Sequence, residues 1–160
     1  MNELHKNIRT AIDKLEAGYK IHDHNKLPSE IRNPNDFAAA LGYPIQRITK
    51  TLLLRSHDGQ VYVAAVCSVD RRLNFKSTAN AVGAKRVEVA SPEDLQVETG
   101  YPKNGVSPLG LAEHITVVVD RLLFDYPTVL IGGGAAKIEI ELSPSDLVRI
   151  SGATVESITM

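Results

Sequence analysis

The sequence predicts an α/β protein with a mixed β-sheet, because helix and strand patterns alternate along all 160 residues. Helix-start signals recur, with a capping serine, a proline and an acid in order at residues 91–94 and again at 143–146. Between such starts lie short alternating runs such as Ile138–Leu142, whose period of two indicates a strand with one buried face. No linker or repeat interrupts the alternation, so we expect a single domain over residues 1–160.

The helices are marked by apolar spacing and by residues that begin or end a helix. Leu4, Ile8, Ile12 and Leu15 recur at helical spacing, and Gly18 supplies a stop. The other expected helices are Pro34–Leu41 ending at Gly42, residues 75–82 capped by Asn74, and the segments that begin after Ser91 and Ser143.

The strands are marked by short apolar or alternating runs between turn residues. Residues 48–55 and 60–67 flank a Ser-His-Asp-Gly segment at 56–59, which predicts a hairpin. The remaining expected strands are residues 19–23, 86–89, Ile115–Asp120, 128–131, Ile138–Leu142 and 153–158.

Composition limits the class of protein. Hydrophobic residues make up 43% of the chain and charged residues 23%, as in an ordinary globular protein. The net charge of −1 provides no global field for nucleic acid, and the absence of Trp argues against stacking of several bases, so we expect no DNA partner. A polynucleotide would be held by a local patch or at one end. Candidate contacts are Arg47, Arg71, Arg72, Lys76 and Lys103.

Other features bear on where the protein acts. No apolar run approaches the length of a membrane span, and the charges near the N-terminus argue against a signal peptide. Cys67 is the single cysteine, so we expect neither an internal disulfide nor a cysteine-based metal site. Its apolar strand neighbours favour core packing over reactivity. We therefore expect a protein of the reducing cytoplasm with no membrane partner.

Lys50 interrupts the apolar face of the first hairpin strand. Side chains alternate between the two faces of a strand, so Lys50 shares its face with Ile48, Leu52 and Leu54. Burying an ammonium group without a partner is costly, so this lysine needs a carboxylate, a ligand or a route to water. The pattern leaves open whether Lys50 snorkels from the strand end or binds a ligand.

The sequence argues against three other kinds of site: a serine nucleophile, a metal site and a phosphate loop. Ser107 lies in Gly-Val-Ser-Pro-Leu-Gly, but Pro108 removes the N–H that a G-x-S-x-G nucleophile elbow uses in its oxyanion hole. His22 and His24 would share a strand face, yet two ligands do not make a metal site. The glycines at 132–134 lack phosphate-loop spacing and precede a strand, although a ligand could still approach this tight turn closely.

The segment 99–110 is long for a simple turn. Its glycine, asparagine and proline residues fix unusual backbone angles. Such a loop can present several free N–H groups to a carbonyl or a phosphate. An ordinary structured loop is the alternative.

Taken in order, these stretches resemble the YbaK/prolyl-tRNA-synthetase-associated editing domain family. The resemblance covers nearly the whole chain, and the order and spacing of its pieces are more specific than any one piece. The matching residues are 48–52, 99–101 with 105–110, 133–134 followed by 138–142, 143–147 and 151–153, while residues 69–84 resemble the segment before the family's middle helix.

The resemblance implies a mixed, partly barrel-like sheet surrounded by helices. It implies hydrolysis, without a cofactor, of the ester that joins a wrong amino acid to tRNA, commonly tRNA for proline. The implied partners are the acceptor end of aminoacyl-tRNA and, for some members, prolyl-tRNA synthetase. The implied catalytic residues are Lys50, Gly105, Val106 and Ser107, and the implied substrate-binding residues are Tyr19, His22, Thr51, Gly100, Asn104, Pro108, Gly132, Gly133, Gly134 and Glu139.

The mechanism that we expect is positioning and polarisation of an ester that is already reactive. Backbone N–H groups near 105–107 or at 133–134 would face the carbonyl oxygen, Lys50 would reach the carbonyl or the terminal phosphate, and water would be the nucleophile. Apolar residues beside Lys50 would set the size of the amino-acid pocket.

The chain departs from the family pattern at two places. Asn104 stands where the family loop has glycine, and we expect asparagine to tolerate a left-handed backbone there. Residues 135–137, Ala-Ala-Lys, stand where the bacterial type has a Lys-Arg-Gly-like segment. These departures leave open a non-catalytic module that binds tRNA ends or aminoacyl-like ligands. His22 and His24 leave open a metal-dependent hydrolase.

Overall fold

The computed structural model describes residues 4–15 and 18–160. Its helices are α1 (Lys6–Leu15), α2 (Pro34–Leu41), α3 (Phe75–Ala81), α4 (Pro92–Thr99) and α5 (Pro144–Ser151). Its strands are β1 (Lys20–Asp23), β2 (Thr49–Ser56), β3 (Tyr62–Ser68), β4 (Val87–Val89), β5 (Ile115–Asp120), β6 (Val129–Gly132), β7 (Ile138–Leu142) and β8 (Thr154–Glu156). Short 3₁₀ turns lie at His24–Lys26, Ile45–Arg47, Lys103–Gly105 and Arg121–Asp125.

The strands form two sheets of mixed character, as the sequence predicts. The larger sheet has the order β4-β2-β3-β5-β8, with antiparallel pairs on both sides of β2 and parallel pairs on both sides of β5. The smaller sheet, β1-β7-β6, is antiparallel throughout. This arrangement confirms the predicted fold class.

The two sheets meet where β2 begins. Ile48, just before β2, forms a parallel bridge with Leu130 of β6. The Thr49 hydroxyl donates a 2.7 Å hydrogen bond to the carbonyl of Leu130. The far end of β2, at residues 54–56, pairs with β4 instead. The strands therefore curl into a partly barrel-like wall that does not close.

Three apolar clusters hold the wall and its helices together. The largest lies on the inner face and joins α1 to residues such as Val66, Val119 and Ile131. A second cluster lies against α3 and contains Leu54. The third packs α2 onto the outer face of the smaller sheet through Phe37. Both faces of the smaller sheet are thus covered, whereas the alternation in β7 predicted one buried face.

Helix boundaries follow the predicted capping residues. The side chains of Asn74, Ser91 and Ser143 each accept a hydrogen bond from a backbone N–H in the first turn of the following helix. Glycines in the left-handed region end α2, α4 and α5. The predicted stop of α1 at Gly18 follows residues 16–17, which lie outside the described part of the chain.

Strand boundaries differ from the prediction where side chains hold the backbone in a turn. The second hairpin strand begins at Tyr62 rather than at residue 60. The carboxylate of Asp58 accepts hydrogen bonds from the hydroxyl of Ser56 and the N–H of Gln60, which extends the turn. The turn at Arg121–Asp125 was not predicted. No helix within the described residues is long and apolar enough to cross a membrane.

Candidate active site

A row of residues crosses the outer face of the smaller sheet and leads to Lys50. His22 of β1 lies opposite Glu139 of β7, and Glu139 lies opposite Gly132 of β6. The parallel bridge between residues 48 and 130 aligns β2 with β6, and two residues further along these strands are Lys50 and Gly132. Because side chains alternate between faces, all four residues belong to the face opposite the inner core. The fold thus gathers His22, Glu139 and Gly132 beside Lys50.

Lys50 is half-buried and carries an uncompensated charge. Its Nζ donates a 2.8 Å hydrogen bond to the backbone carbonyl of Arg71. Within the described chain, its ammonium lies within ion-pair distance of no carboxylate. A carbonyl satisfies one of the three N–H donors but does not neutralise the ammonium. Lys50 is therefore held in place with donors left for a ligand.

Cys67 lies opposite Lys50 on β3 and is fully buried. Burial raises the pKa of its thiol to about 11, although the nearby Lys50 charge acts in the opposite direction. The thiol is therefore protonated near neutral pH and packs in the core, as the sequence predicts.

Close contacts between two glycine-containing loops bring residues 105–106 next to Gly132, which lies in the row of residues beside Lys50. The N–H of Gly134 donates a 2.8 Å hydrogen bond to the carbonyl of Gly105. A Cβ atom on Gly105 would stand 2.6 Å from the backbone of Ala135, and one on Gly132 would overlap the carbonyl oxygen of Val106. Glycine is required at both positions because the backbones touch.

The backbone N–H groups of these loops differ in what they bind. The N–H groups of Gly105, Gly133 and Gly134 each donate to a backbone carbonyl, so they hold the turns together. Those of Val106 and Ser107 have no acceptor within the described residues. The structure therefore corrects the expectation that Gly105, Gly133 and Gly134 donate to a substrate carbonyl. It leaves the partly exposed Val106 as the candidate donor, because Ser107 is fully buried.

Ser107 is fully buried, and so is Leu109 two residues later. Its Oγ accepts a 3.2 Å hydrogen bond from the N–H of Leu109. The buried hydroxyl of Tyr101 donates to the carbonyl of Leu109 at 2.6 Å. Gly100 ends α4 in the left-handed region, and Pro108 is buried beside Ser107. These residues hold the loop in place, and the burial of the Ser107 hydroxyl argues against a role as nucleophile.

Two predicted substrate-binding residues lie apart from the row. Thr51 faces the inner side of β2 with Leu53, and its buried Oγ1 has no hydrogen-bond partner among the described residues. Tyr19 precedes β1 and is 36% exposed. The alternation of faces along β2 therefore separates Thr51 from its neighbour Lys50.

Asn104 does not need the left-handed conformation that the sequence suggested. It lies in the short 3₁₀ turn Lys103–Gly105 and is exposed. The described non-glycine residue with positive φ is instead Lys137, at φ 67°. Its carbonyl accepts a 2.9 Å hydrogen bond from the N–H of His24. The unusual backbone angle therefore belongs to the turn between β6 and β7.

Glu141 anchors a buried polar network beside the row. It accepts hydrogen bonds from His22 at 2.8 Å, Tyr43 at 2.8 Å and Thr128 at 2.5 Å, and Arg47 lies 3.4 Å from the same carboxylate. Burial acts to raise the pKa of Glu141, but these hydrogen bonds outweigh it and lower the pKa. Arg47 was a candidate phosphate contact, but its guanidinium is engaged in this network and stacks 3.6 Å over the Tyr43 ring.

The sequence offers His24 as a metal ligand or as a loop or pocket histidine, and the structure places it in a pair with Glu139. Its Nε2 lies 2.5 Å from Oε2 of Glu139, and its ring lies 4.4 Å from the ring of Phe37. Both members of the pair are mostly buried, at 17% and 16% exposed. In the sequence, His22 and His24 are two residues apart on one strand segment, and Glu139 and Glu141 are two apart on another. This matched spacing could have predicted the two histidine–glutamate pairs. Two cavities, of about 710 and 530 Å³, are not lined by Lys50, although Pro108 lines the first of them.

Comparison with known proteins identifies the family. Residues 28–150 match the aminoacyl-tRNA editing domain, so the chain belongs to that family. It is 29% identical over 122 residues to the Enterococcus faecalis protein named "Putative Cys-tRNA(Pro)/Cys-tRNA(Cys) deacylase EbsC", covering 76% of this chain and 74% of that one. The family membership confirms the resemblance found in the sequence.

Two further similarities bear on fold and context. A Fervidobacterium nodosum proline–tRNA ligase is 29% identical over 124 residues, which cover 73% of this chain but only 21% of the ligase. The crystal structure of "a putative trans-editing enzyme for prolyl tRNA synthetase" superposes with a TM-score of 0.82 at 25% identity, covering 97% of this chain and 96% of that one. The mixed two-sheet fold is thus shared with that structure over nearly the whole of both chains.

Proposed function

We propose that the whole 160-residue chain is a single editing domain that hydrolyses mischarged tRNA in trans. The substrate would be tRNA(Pro) carrying cysteine, alanine or another small amino acid, held by its acceptor end in the cytoplasm. The observation that carries the proposal is Lys50, a half-buried, uncompensated ammonium on a row with Gly132 and Glu139.

The chemistry requires little beyond positioning and polarisation. Water attacks the carbonyl carbon of the ester, and the carbonyl oxygen gains negative charge in the tetrahedral intermediate. The backbone N–H of Val106, or the ammonium of Lys50, would stabilise that charge, and one preorganised donor is worth about 3–4 kcal/mol. The bond to the ribose oxygen then breaks, that oxygen takes up a proton, and free amino acid and tRNA are released. The neighbouring ribose hydroxyl would orient the water.

The negative Glu139 and the positive Lys50 lie on either side of Gly132, and these charges are complementary to two charged groups of an aminoacyl-tRNA. An aminoacyl ester carries an α-ammonium group, and the tRNA end carries a phosphate. Glu139, oriented by His24, would bind the ammonium, while Lys50 would bind the phosphate or the carbonyl. Buried Ile48 and Leu130 on the same face would limit the amino-acid side chain. Because one methylene changes binding by only about 1–3 kcal/mol, such a pocket separates substrates mainly by size.

The test is a deacylation panel with tRNA(Pro) charged with alanine, cysteine or serine, each with and without a chelator. We expect turnover that a chelator does not change. Loss of turnover with the chelator would instead favour a metal-dependent reaction at His22 and His24. Binding of charged tRNA without turnover would favour a non-catalytic module. Repeating the panel with prolyl-tRNA synthetase present would show whether that enzyme assists.

A further inference from the structure

Three exposed lysines lie on chain segments that meet at the edge of the candidate site. Lys137 is in the turn between β6 and β7, Lys26 is in the 3₁₀ turn after β1, and Lys103 begins the turn at residues 103–105. They are far apart in sequence, and of the three only Lys103 was a candidate phosphate contact in the sequence.

Backbone hydrogen bonds hold these segments side by side. The N–H of His24, two residues before Lys26, donates to the carbonyl of Lys137 at 2.9 Å. The N–H of Gly134, three residues before Lys137, donates to the carbonyl of Gly105 at 2.8 Å. The three segments therefore form one continuous edge, which we call the lysine rim and define by Lys26, Lys103 and Lys137.

The carboxylates closest to the rim in the chain are already occupied. Asp23 accepts a 2.9 Å hydrogen bond from the N–H of Asn25, and Glu139 is paired with His24. Within the described residues, no rim lysine forms an ion pair. Three lysines without an ion-pair partner among the described residues therefore lie along this edge, with the hydrogen-bonded Asp23 and Glu139 near them in the chain.

Lys137 has a backbone conformation that is unfavourable for a residue with a side chain. Its φ of 67° lies in the left-handed region, where a side chain costs free energy that glycine avoids. Strained residues of this kind tend to occur at ligand-binding sites, where the side chain is needed. A lysine kept at a position suited to glycine places a cation beside the row that holds Glu139 and Lys50.

We propose that the lysine rim binds the phosphate backbone of the tRNA acceptor stem and so positions the charged 3′ end at Lys50. The inference rests on the proposed function, and it assigns tRNA affinity to residues distinct from those of the chemistry. It also replaces Arg47 and Arg71 as phosphate contacts. Arg47 is engaged with Thr128 and Glu141, and the guanidinium of Arg71 binds Thr159 and the carbonyl of Met160.

The first test measures binding of uncharged tRNA(Pro) at several salt concentrations, which does not depend on turnover. Each of Lys26→Gln, Lys103→Gln and Lys137→Gln should reduce the log–log salt slope by about 0.7–0.9. This corresponds to roughly threefold less loss of affinity per lysine between 50 and 200 mM salt. The matched control is Lys85→Gln, an exposed lysine beyond the opposite end of β2. Equal slopes in the rim and control variants, or no binding by the unmodified protein at low salt, would overturn the proposal.

The second test separates positioning from chemistry. With charged tRNA(Pro), the triple rim variant should raise KM at least tenfold and leave kcat within about twofold. With aminoacyl-adenosine, which lacks phosphates, it should act like the unmodified protein. If neither protein hydrolyses either substrate, the proposed function fails. The salt slopes would still show whether the lysine rim binds tRNA.

A third variant distinguishes charge from folding. Lys137→Gly removes the cation and the left-handed strain together, so it should raise the melting temperature while weakening tRNA binding. A fall in both quantities would indicate that Lys137 is structural and would contradict the proposal.

Discussion

The ammonium of Lys50 is held 2.8 Å from the backbone carbonyl of Arg71. The Arg71 side chain in turn binds Thr159 and the carbonyl of Met160, so the end of the chain steadies the turn that holds Lys50. A neutral carbonyl fixes the direction of the lysine without cancelling its charge. The arrangement differs from an internal salt bridge, which would leave little charge for a substrate.

Lys50→Ala should abolish deacylation while the protein stays folded. Loss of one preorganised donor typically lowers kcat by about 10²–10³-fold. Single-turnover deacylation of mischarged tRNA(Pro) measures the effect, and circular dichroism checks the fold. Lys85→Ala, an exposed lysine away from the site, is the matched control. Undiminished turnover by folded Lys50→Ala would refute the mechanism.

Ser107→Ala should reduce activity far less than Lys50→Ala. The buried hydroxyl accepts a hydrogen bond from Leu109, so its loss should cost about 1 kcal/mol of stability and loosen the loop slightly. The substitution leaves the backbone N–H of Val106, which we assign to the site, unchanged. Urea unfolding and deacylation rates measured on the same preparation would show this. An activity loss as large as that of the lysine variant would restore Ser107 as the nucleophile.

Gly132→Ala should remove activity by displacing the loop at residues 105–107. The added methyl group would overlap the carbonyl oxygen of Val106, which is backbone and can move only with its loop. Overpacking of this kind costs about 1–3 kcal/mol. The control is Gly18→Ala, because a Cβ at Gly18 meets nothing within 4 Å and its φ is not in the left-handed region. Similar melting temperatures and activities in the two variants would argue against the close contact.

Glu139→Gln should weaken recognition of the α-ammonium group. We expect KM for aminoacyl-tRNA to rise about tenfold, as for loss of a charge-assisted hydrogen bond worth roughly 1.5 kcal/mol. N-acetyl-aminoacyl-tRNA lacks the ammonium charge, so the unmodified protein and the variant should hydrolyse it equally. A variant that is impaired equally on both substrates would show that Glu139 supports the fold through His24 instead.

The stability of the protein should fall on acidification because of Glu141. Its pKa is lower in the folded protein than in the unfolded chain, so the unfolded chain binds the proton more tightly. The stabilisation is present above the unfolded pKa of about 4.3 and is lost as the pH falls through the folded pKa. Urea unfolding between pH 7 and pH 3 measures this. Glu141→Gln should be less stable at pH 7 and should show a shallower decline than the unmodified protein.

The helices and strands were largely predictable because their signals are local. The caps at Asn74 and Ser143 and the strand Ile138–Leu142 occur where the sequence places them. The first hairpin was also predictable, apart from the extension that Asp58 imposes on its turn. Helix capping and strand alternation depend on neighbours within a few residues, so the sequence alone is enough to predict them.

The site was predictable only in part. Lys50 stands out in the sequence because a charge interrupts an apolar strand face, and the family motif adds the loop around Val106. The sequence did not reveal that the N–H groups of Gly133 and Gly134 are occupied, or that Thr51 faces away. These outcomes depend on which distant backbone groups meet.

By itself the sequence determined the fold class, the family and the lysine on which the proposed chemistry depends. The tertiary structure decided which groups stand beside that lysine. The cross-strand register put Gly132 and Glu139 on its row. The close approach of two glycine loops occupied the N–H of Gly134, while that of Val106 has no acceptor among the described residues. The physical reason is that register and loop contacts satisfy hydrogen bonds between segments that are mostly distant in the chain, such as Gly105 with Gly134, which no local pattern specifies.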